Sequence, residues 1–104
     1  MNLSIRSRGM ALTPALLDHV ERRLRFALSR FGSRLGDVAV RVANDDGARG
    51  DAARRCTILL RVHGARPVLV ETVDPDLYAA IDRAAARAGR TAARSIARSD
   101  ELRA

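Results

Sequence analysis

The chain opens with an alternation: Leu3 and Ile5 fall on one side, Asn2, Ser4 and Arg6 on the other. A period of two puts successive side chains on opposite faces of a strand, so residues 1–6 are predicted as a strand with one buried face. After Gly9 the period lengthens. Leu17, Val20, Leu24, Leu28 and Phe31 recur at spacings of three and four, which makes one apolar stripe on a helix. Thr13 and Pro14 open that helix, since a threonine hydroxyl caps free backbone N–H groups and proline suits the first helical position. Gly32 is expected to end it in a left-handed conformation.

Period two returns at residues 37–43, with Val38, Val40 and Val42 facing one way and Ala39, Arg41 and Ala43 the other. Residues 43–53 hold Asn44, Asp45, Asp46, Gly47, Gly50 and Asp51, and are expected to form an exposed acidic loop. A third strand is predicted over 55–63, with Cys56, Ile58, Leu60 and Val62 on one face. A turn at Gly64 leads to a fourth over 67–73, with Val68, Val70 and Thr72 inward. Asp74 and Pro75 repeat the helix-start chemistry and open a helix over about 75–98. Its inward face is Leu77, Ile81, Ala84, Ala85, Ala88 and Ala92, mostly small, so the helix should lie close against its neighbours. Gly89 costs that helix about 1 kcal/mol against alanine, which a tight backbone contact would explain.

The order is β-α-β-β-β-α, an α+β class. The first strand can be the parallel neighbour of the second, and the last three suit an antiparallel meander. The economical packing is a four-stranded mixed sheet with two helices on one face. A length of 104 residues fits one domain spanning 1–104. Only Phe26, Phe31 and Tyr78 are aromatic and there is no Trp, so alanine, leucine and valine must fill the interior.

Charge changes the picture more than any other property. Nineteen basic residues, every one arginine, stand against 12 acidic ones, for a net charge of +7. The absence of lysine carries no function by itself, but each positive charge is then a planar, permanently ionised fork suited to phosphate. The balance points to polyanions, nucleic acid ahead of membrane. Cys56 is the single cysteine, which excludes an internal disulfide and suggests no oxidising compartment. No signal-peptide core is visible, because Thr13, Pro14 and Asp18 interrupt the first apolar run, and no stretch has the length of a membrane span. The expected location is the cytoplasm.

The second helix carries the chemistry. Arg83, Arg87, Arg90, Arg94 and Arg98 fall within about 80° of arc at about 100° per residue, opposite the alanine face. They make a stripe about 22 Å long at about 1.5 Å rise per residue. Like charges at i,i+4 repel, and Asp82 is the one acid among them, so phosphates would complete the row. The first helix adds Arg22, Arg23, Arg25 and Arg30, with Arg34 just beyond, diluted by Asp18 and Glu21. If both helices share a sheet face, their outer sides form one basic surface. Five engaged phosphates would give a log–log salt slope of about −3.5 to −4.5.

Other residues divide between two readings. Phe26 lies among polar positions; packing against a loop or a partner chain is favoured over stacking on an unpaired base. Leu59 and Leu69 point to the helix-free sheet face, as scattered exposed leucines or as a self-association patch. Cys56 is expected to be a buried core thiol. His19 and His63 lack acid or cysteine partners at ligand spacing, and Asp45-Asp46-Gly47 reads as a turn rather than a metal loop. No phosphate-cradling glycine loop, nucleophile elbow or zinc motif occurs, so neither enzyme, metal, cofactor nor small-molecule substrate is expected.

The stretch Asp76-Leu77-Tyr78-Ala79-Ala80-Ile81-Asp82, after a strand and leading into a basic helix, resembles the bacterial ribosome hibernation-promoting factors. These are also called ribosome-associated inhibitors or sigma-54 modulation proteins. The resemblance covers nearly the whole chain, from the opening strand and the helix begun at Thr13 to the final helix. It implies a protein that binds the small ribosomal subunit and its rRNA in the channel for messenger and transfer RNA. It implies a block on translation as a stress response in starved or stationary cells. Basic positions of the family's final helix match Arg87, Arg90, Arg94 and Arg98, and those of its first helix fall near Arg22, Arg23 and Arg25. Three features depart from the pattern: Phe26 stands where a basic residue is usual, Gly89 interrupts the last helix, and the 43–53 loop is longer and more acidic. Ending at Ala104, the chain looks like the short form, a monomer that in the family pairs idle ribosomes with help from a separate factor. The rival readings are a double-stranded RNA-binding domain, whose α-β-β-β-α order overlaps, and an interaction module dimerising through its open sheet face. Membrane-surface binding is weaker, because the final helix offers alanine where insertion needs bulk.

Overall fold

The computed structural model describes residues 1–46 and 52–103. Its elements are β1 (Asn2–Arg8), α1 (Pro14–Leu28), a 3-10 segment (Ser29–Arg34), β2 (Leu35–Asp46), β3 (Ala52–Val62), β4 (Val68–Asp74) and α2 (Leu77–Arg103). The four strands form one sheet in the order β1-β2-β3-β4. β1 runs parallel to β2, with Leu3 opposite Val38 and Ile5 opposite Val40. The other two pairings are antiparallel, with Val40 opposite Ile58 and Ile58 opposite Val70. Both helices cover the face that these inward residues share. The mixed sheet, its order and its two helices are those predicted from the periodicities.

Three local expectations shift. In α1 the buried row is Leu16, Val20, Leu24 and Leu28, not a stripe beginning at Leu17, which stays 38% exposed. Strict i,i+4 spacing makes a narrow row, and a helix lying on a sheet needs no wider one. Gly32 does have a positive φ of 54°, but it sits inside the 3-10 segment rather than capping α1. α1 stops earlier, at Leu28, with the Ser29 N–H bonded to the Arg25 carbonyl. The tight segment then carries Phe31, half-buried, to the margin of the core. α2 begins at Leu77 rather than Pro75 because Asp76 is its cap: its Oδ1 accepts from the Tyr78 N–H at 2.9 Å. Asp74 in turn accepts from the Asp76 N–H at 2.9 Å, which sets the turn before the helix.

The expected acidic loop is shorter on both sides. Backbone pairing of β2 with β3 continues through Asp45 opposite Ala53 and Asp46 opposite Ala52. The remainder of that loop lies outside the described residues.

Small side chains set the geometry of α2. Ala80, Ala84, Ala85, Ala88 and Ala92 are fully buried, and so is Ile81. Gly89 faces α1, where an added Cβ would meet the Ala27 carbonyl oxygen at 2.9 Å. That is closer than carbon and oxygen tolerate, so glycine lets the two backbones touch. Polar ties add direction. The buried Thr72 hydroxyl of β4 donates to the Ala80 carbonyl at 2.7 Å. Asp82 bridges the helices: its Oδ1 lies 2.7 Å from His19 Nε2 and 3.2 Å from Arg23 Nε. The His19 ring also meets Tyr78 edge to face at 4.7 Å. Further along, the Ser95 hydroxyl donates to the Arg66 carbonyl and that of Ser99 to the Gly64 carbonyl.

Changing Gly89 to Ala gains about 1 kcal/mol of helix propensity but overpacks a filled interface at a cost of about 1–3 kcal/mol. Urea unfolding should show a net loss, and a gain would mean the helices can separate freely. Asp82→Ala leaves His19 and Arg23 facing each other and should cost about 1 kcal/mol in the same assay, a modest figure because the pair is partly solvated. Cys56 is buried, and desolvation pushes its thiol from 9.0 up to about 12. Between those values the unfolded chain releases a proton that the folded chain keeps, so this group's stabilising contribution is lost as pH rises through that window. At pH 8, a thiol reagent should therefore label the protein only as fast as it unfolds.

Candidate nucleic-acid interface

The surface of α2 that is not pressed into the core carries the five arginines of the stripe, each exposed. The stripe is not directly opposite the alanine face; it leans toward β4. Arg83 donates to the Val73 carbonyl and pairs with Asp74 at 3.2 Å. Arg87 donates to the Glu71 carbonyl at 3.4 Å, and Arg94 reaches only the Thr91 hydroxyl. Among the described residues, Arg90 and Arg98 have neither an ion pair nor a hydrogen bond through their side chains. The acid counted among these arginines in sequence, Asp82, faces α1 instead. Charge is thus neutralised at the start of the stripe and uncompensated over Arg87, Arg90, Arg94 and Arg98.

The arginines of α1 divide in the same way. Arg22 pairs with Asp18 at 3.0 Å and Arg25 with Glu21 at 2.9 Å, both across one turn in solvent. Such exposed pairs are weak, about 0.3–0.5 kcal/mol, and a phosphate could displace them. Arg23 and Arg30 turn toward α2. They line a trough of about 300 Å³ with Phe26, Ala27, Ala85, Ala86 and Gly89. Arg30 donates to the Gly89 carbonyl at 3.3 Å, which sets its head beside α2 next to Arg90 in sequence. Arg30 has no acid partner among the described residues. Arg34 does not join this surface: it pairs with Asp100 at 3.4 Å and donates to the His63 carbonyl, tying the 3-10 segment to the end of α2.

Two parts of the basic surface are missing from the sequence reading. Arg66, in the turn between β3 and β4, lines a groove of about 730 Å³ together with Arg94, Arg98, Ser95 and Leu102. No periodicity marks a turn residue, so nothing in the sequence joined it to α2. The other part is on the open sheet face. Register sets Arg6 beside Arg41, with Arg8 two residues along β1. These three arginines have no ion pair among the described residues and border a concavity of about 860 Å³. Alternation alone places Arg6 and Arg41 outward, but their adjacency needs the register. Leu59 and Leu69 lie opposite each other on the same face, 41% and 68% exposed.

No helix among the described residues is long and apolar enough to cross a membrane. Solvent-facing guanidinium groups in rows, with shallow grooves between them, can hold an extended polyanion.

Among solved structures, the chain is similar to the N-terminal domain of Protein Y from Thermus thermophilus, at 31% identity and a TM-score of 0.72. That match covers 88% of this chain and 94% of the other. A ribosomal subunit interface protein from Coxiella burnetii shares the fold, with a TM-score of 0.76 at 13% identity over 93% of this chain and 99% of the other. Among curated proteins, no match is found. The family model for the sigma 54 modulation protein / S30EA ribosomal protein matches residues 3–99, from β1 well into the last turns of α2. With all four strands and both helices reached by that match, the chain belongs to the sigma 54 modulation protein / S30EA ribosomal protein family.

Proposed function

We propose that this domain is a ribosome-associated inhibitor of translation. It binds the rRNA of the small subunit in the channel for messenger and transfer RNA, and so promotes ribosome hibernation in the starved cell's cytoplasm. The observation that carries this reading is the acid-free row Arg87, Arg90, Arg94 and Arg98 on a chain of this family. A row of like charges on one helix face costs stability unless an anion completes it. RNA phosphates recur along a strand and accept two parallel N–H bonds from each guanidinium fork. Arg30 and the more weakly engaged Arg22, Arg23, Arg25 and Arg83 extend the same surface. The role is one of binding and steric obstruction, with no catalytic step.

Self-association through the open sheet face fits the charge less well. Arg6, Arg8 and Arg41 would have to be desolvated there, with Glu71 as the acid lining the same concavity. The reading is therefore of a monomer.

Sedimentation with separated ribosomal subunits across a salt series tests the proposal, beside a variant carrying R87Q, R90Q and R94Q. The parent should bind the small subunit saturably at about one copy each. In the variant, the log–log salt slope should fall by about 2–3, the share of three lost phosphate contacts. Equal slopes for parent and variant, or weak binding of many copies to any RNA, would overturn the assignment to this stripe.

A further inference from the structure

Resting on the reading of this chain as an RNA binder, we propose that Phe26 is a stacking platform for an unpaired nucleobase. The base would sit at the trough between α1 and α2, with Arg30 holding an adjoining phosphate. Two of the chain's three aromatic rings have intramolecular work: Phe31 packs on the margin of the core and Tyr78 meets His19. Phe26 belongs to neither group and is 82% exposed on the outer surface of α1. Of the two packing roles favoured from sequence, against a loop or against a partner chain, the first is thereby removed.

The surroundings indicate what covers the ring. Arg23 stands with its Cζ 6.0 Å from the Phe26 ring centroid, held by its contact with Asp82. Arg30 lines the same trough with no acid partner among the described residues. A ligand that offers a flat apolar ring and a negative charge, joined at short range, matches this set, and a nucleotide is that ligand. A protein anchored on Phe26 would have to bring its own acids to meet Arg30.

The floor of the trough also sets the selectivity. Ala27, Ala85, Ala86 and Gly89 present methyl groups and backbone, and the Gly89 carbonyl already accepts from Arg30. The floor itself has no polar side chain, and the guanidinium groups at its margin, Arg23 and Arg30, are engaged with Asp82 and the Gly89 carbonyl. Recognition is then by stacking, which every base supports through its π-face. Stacking of this kind sets no preference among the bases.

The absence of tryptophan makes the test direct, since F26W introduces a sole indole reporter. The F26W protein is titrated with a short oligoadenylate, and with an abasic oligoribonucleotide of the same length as the control for charge. Binding is followed independently by polarisation of end-labelled RNA. Stacking predicts that indole emission is quenched by the oligoadenylate and unchanged by the abasic strand. F26A should lower oligoadenylate affinity about five- to hundredfold, leave the salt slope unchanged, and bind both strands alike. F26Y should keep the preference for the strand that carries bases. Emission that stays constant while polarisation reports saturation would sink the proposal, as would an F26A protein that binds oligoadenylate like the parent. These results differ from failure of the RNA reading itself, in which the parent binds neither strand nor the small subunit.

Discussion

How closely α2 can approach its neighbours governs everything on the helical side. Apart from Leu77, Ile81 and Ile96, its inner face offers methyl groups and one bare glycine, so between them the helix comes down close onto β3, β4 and α1. Methyl groups contribute little apolar area each, at about 25 cal/mol per Å². The helix is accordingly fastened at several points by polar bonds: Thr72 to its first turn, Asp82 to α1, and Ser95 and Ser99 to the β3–β4 turn. That combination can hold a helix whose opposite surface repels itself. It also fixes the width of the trough beside Phe26, because Gly89 and Ala27 are already in contact.

The seven residues from Asp76 to Asp82 have their explanation in this fastening. Asp76 caps the helix, Leu77 and Ile81 enter the core, and Tyr78 supports His19. Ala80 receives the Thr72 hydroxyl, and Asp82 clamps α1. None of the seven is one of the exposed cations. The part of the sequence that most clearly signals the family therefore builds the platform, while the arginines that follow it make the surface. A substitution in the first group should act through folding and one in the second through binding.

Much of the fold was legible because each element kept its own period. Valines at every second position gave β2 and β4 with the correct inward faces, and alanines at helical spacing gave the buried side of α2. What escaped depended on contacts distant in sequence or on near-equivalent choices. Leu16 and Leu17 are adjacent and equally apolar, and only the sheet beneath decides between them. Asp74 and Asp76 are both good caps; the structure uses one to set the turn and the other to start the helix. For the candidate surface, Asp18 with Arg22 and Glu21 with Arg25 could be paired from i,i+4 spacing alone. The partners of Arg23, Arg34 and Arg83 could not, because each acid lies on another element or beyond a turn. Spacing thus predicted five equivalent arginines on α2, whereas tertiary structure neutralises the first and leaves the rest uncompensated.

The lean of α2 toward β4 has a consequence beyond anion binding. β4 ends the sheet, and the far side of an edge strand is a template on which another chain can add a strand. Here the Val73 and Glu71 carbonyls of that strand are taken by Arg83 and Arg87 from the helix above. Two guanidinium groups laid over this edge occupy two of its acceptors. Two arginines of that row thus cover part of the edge through which another chain could add a strand to this small domain.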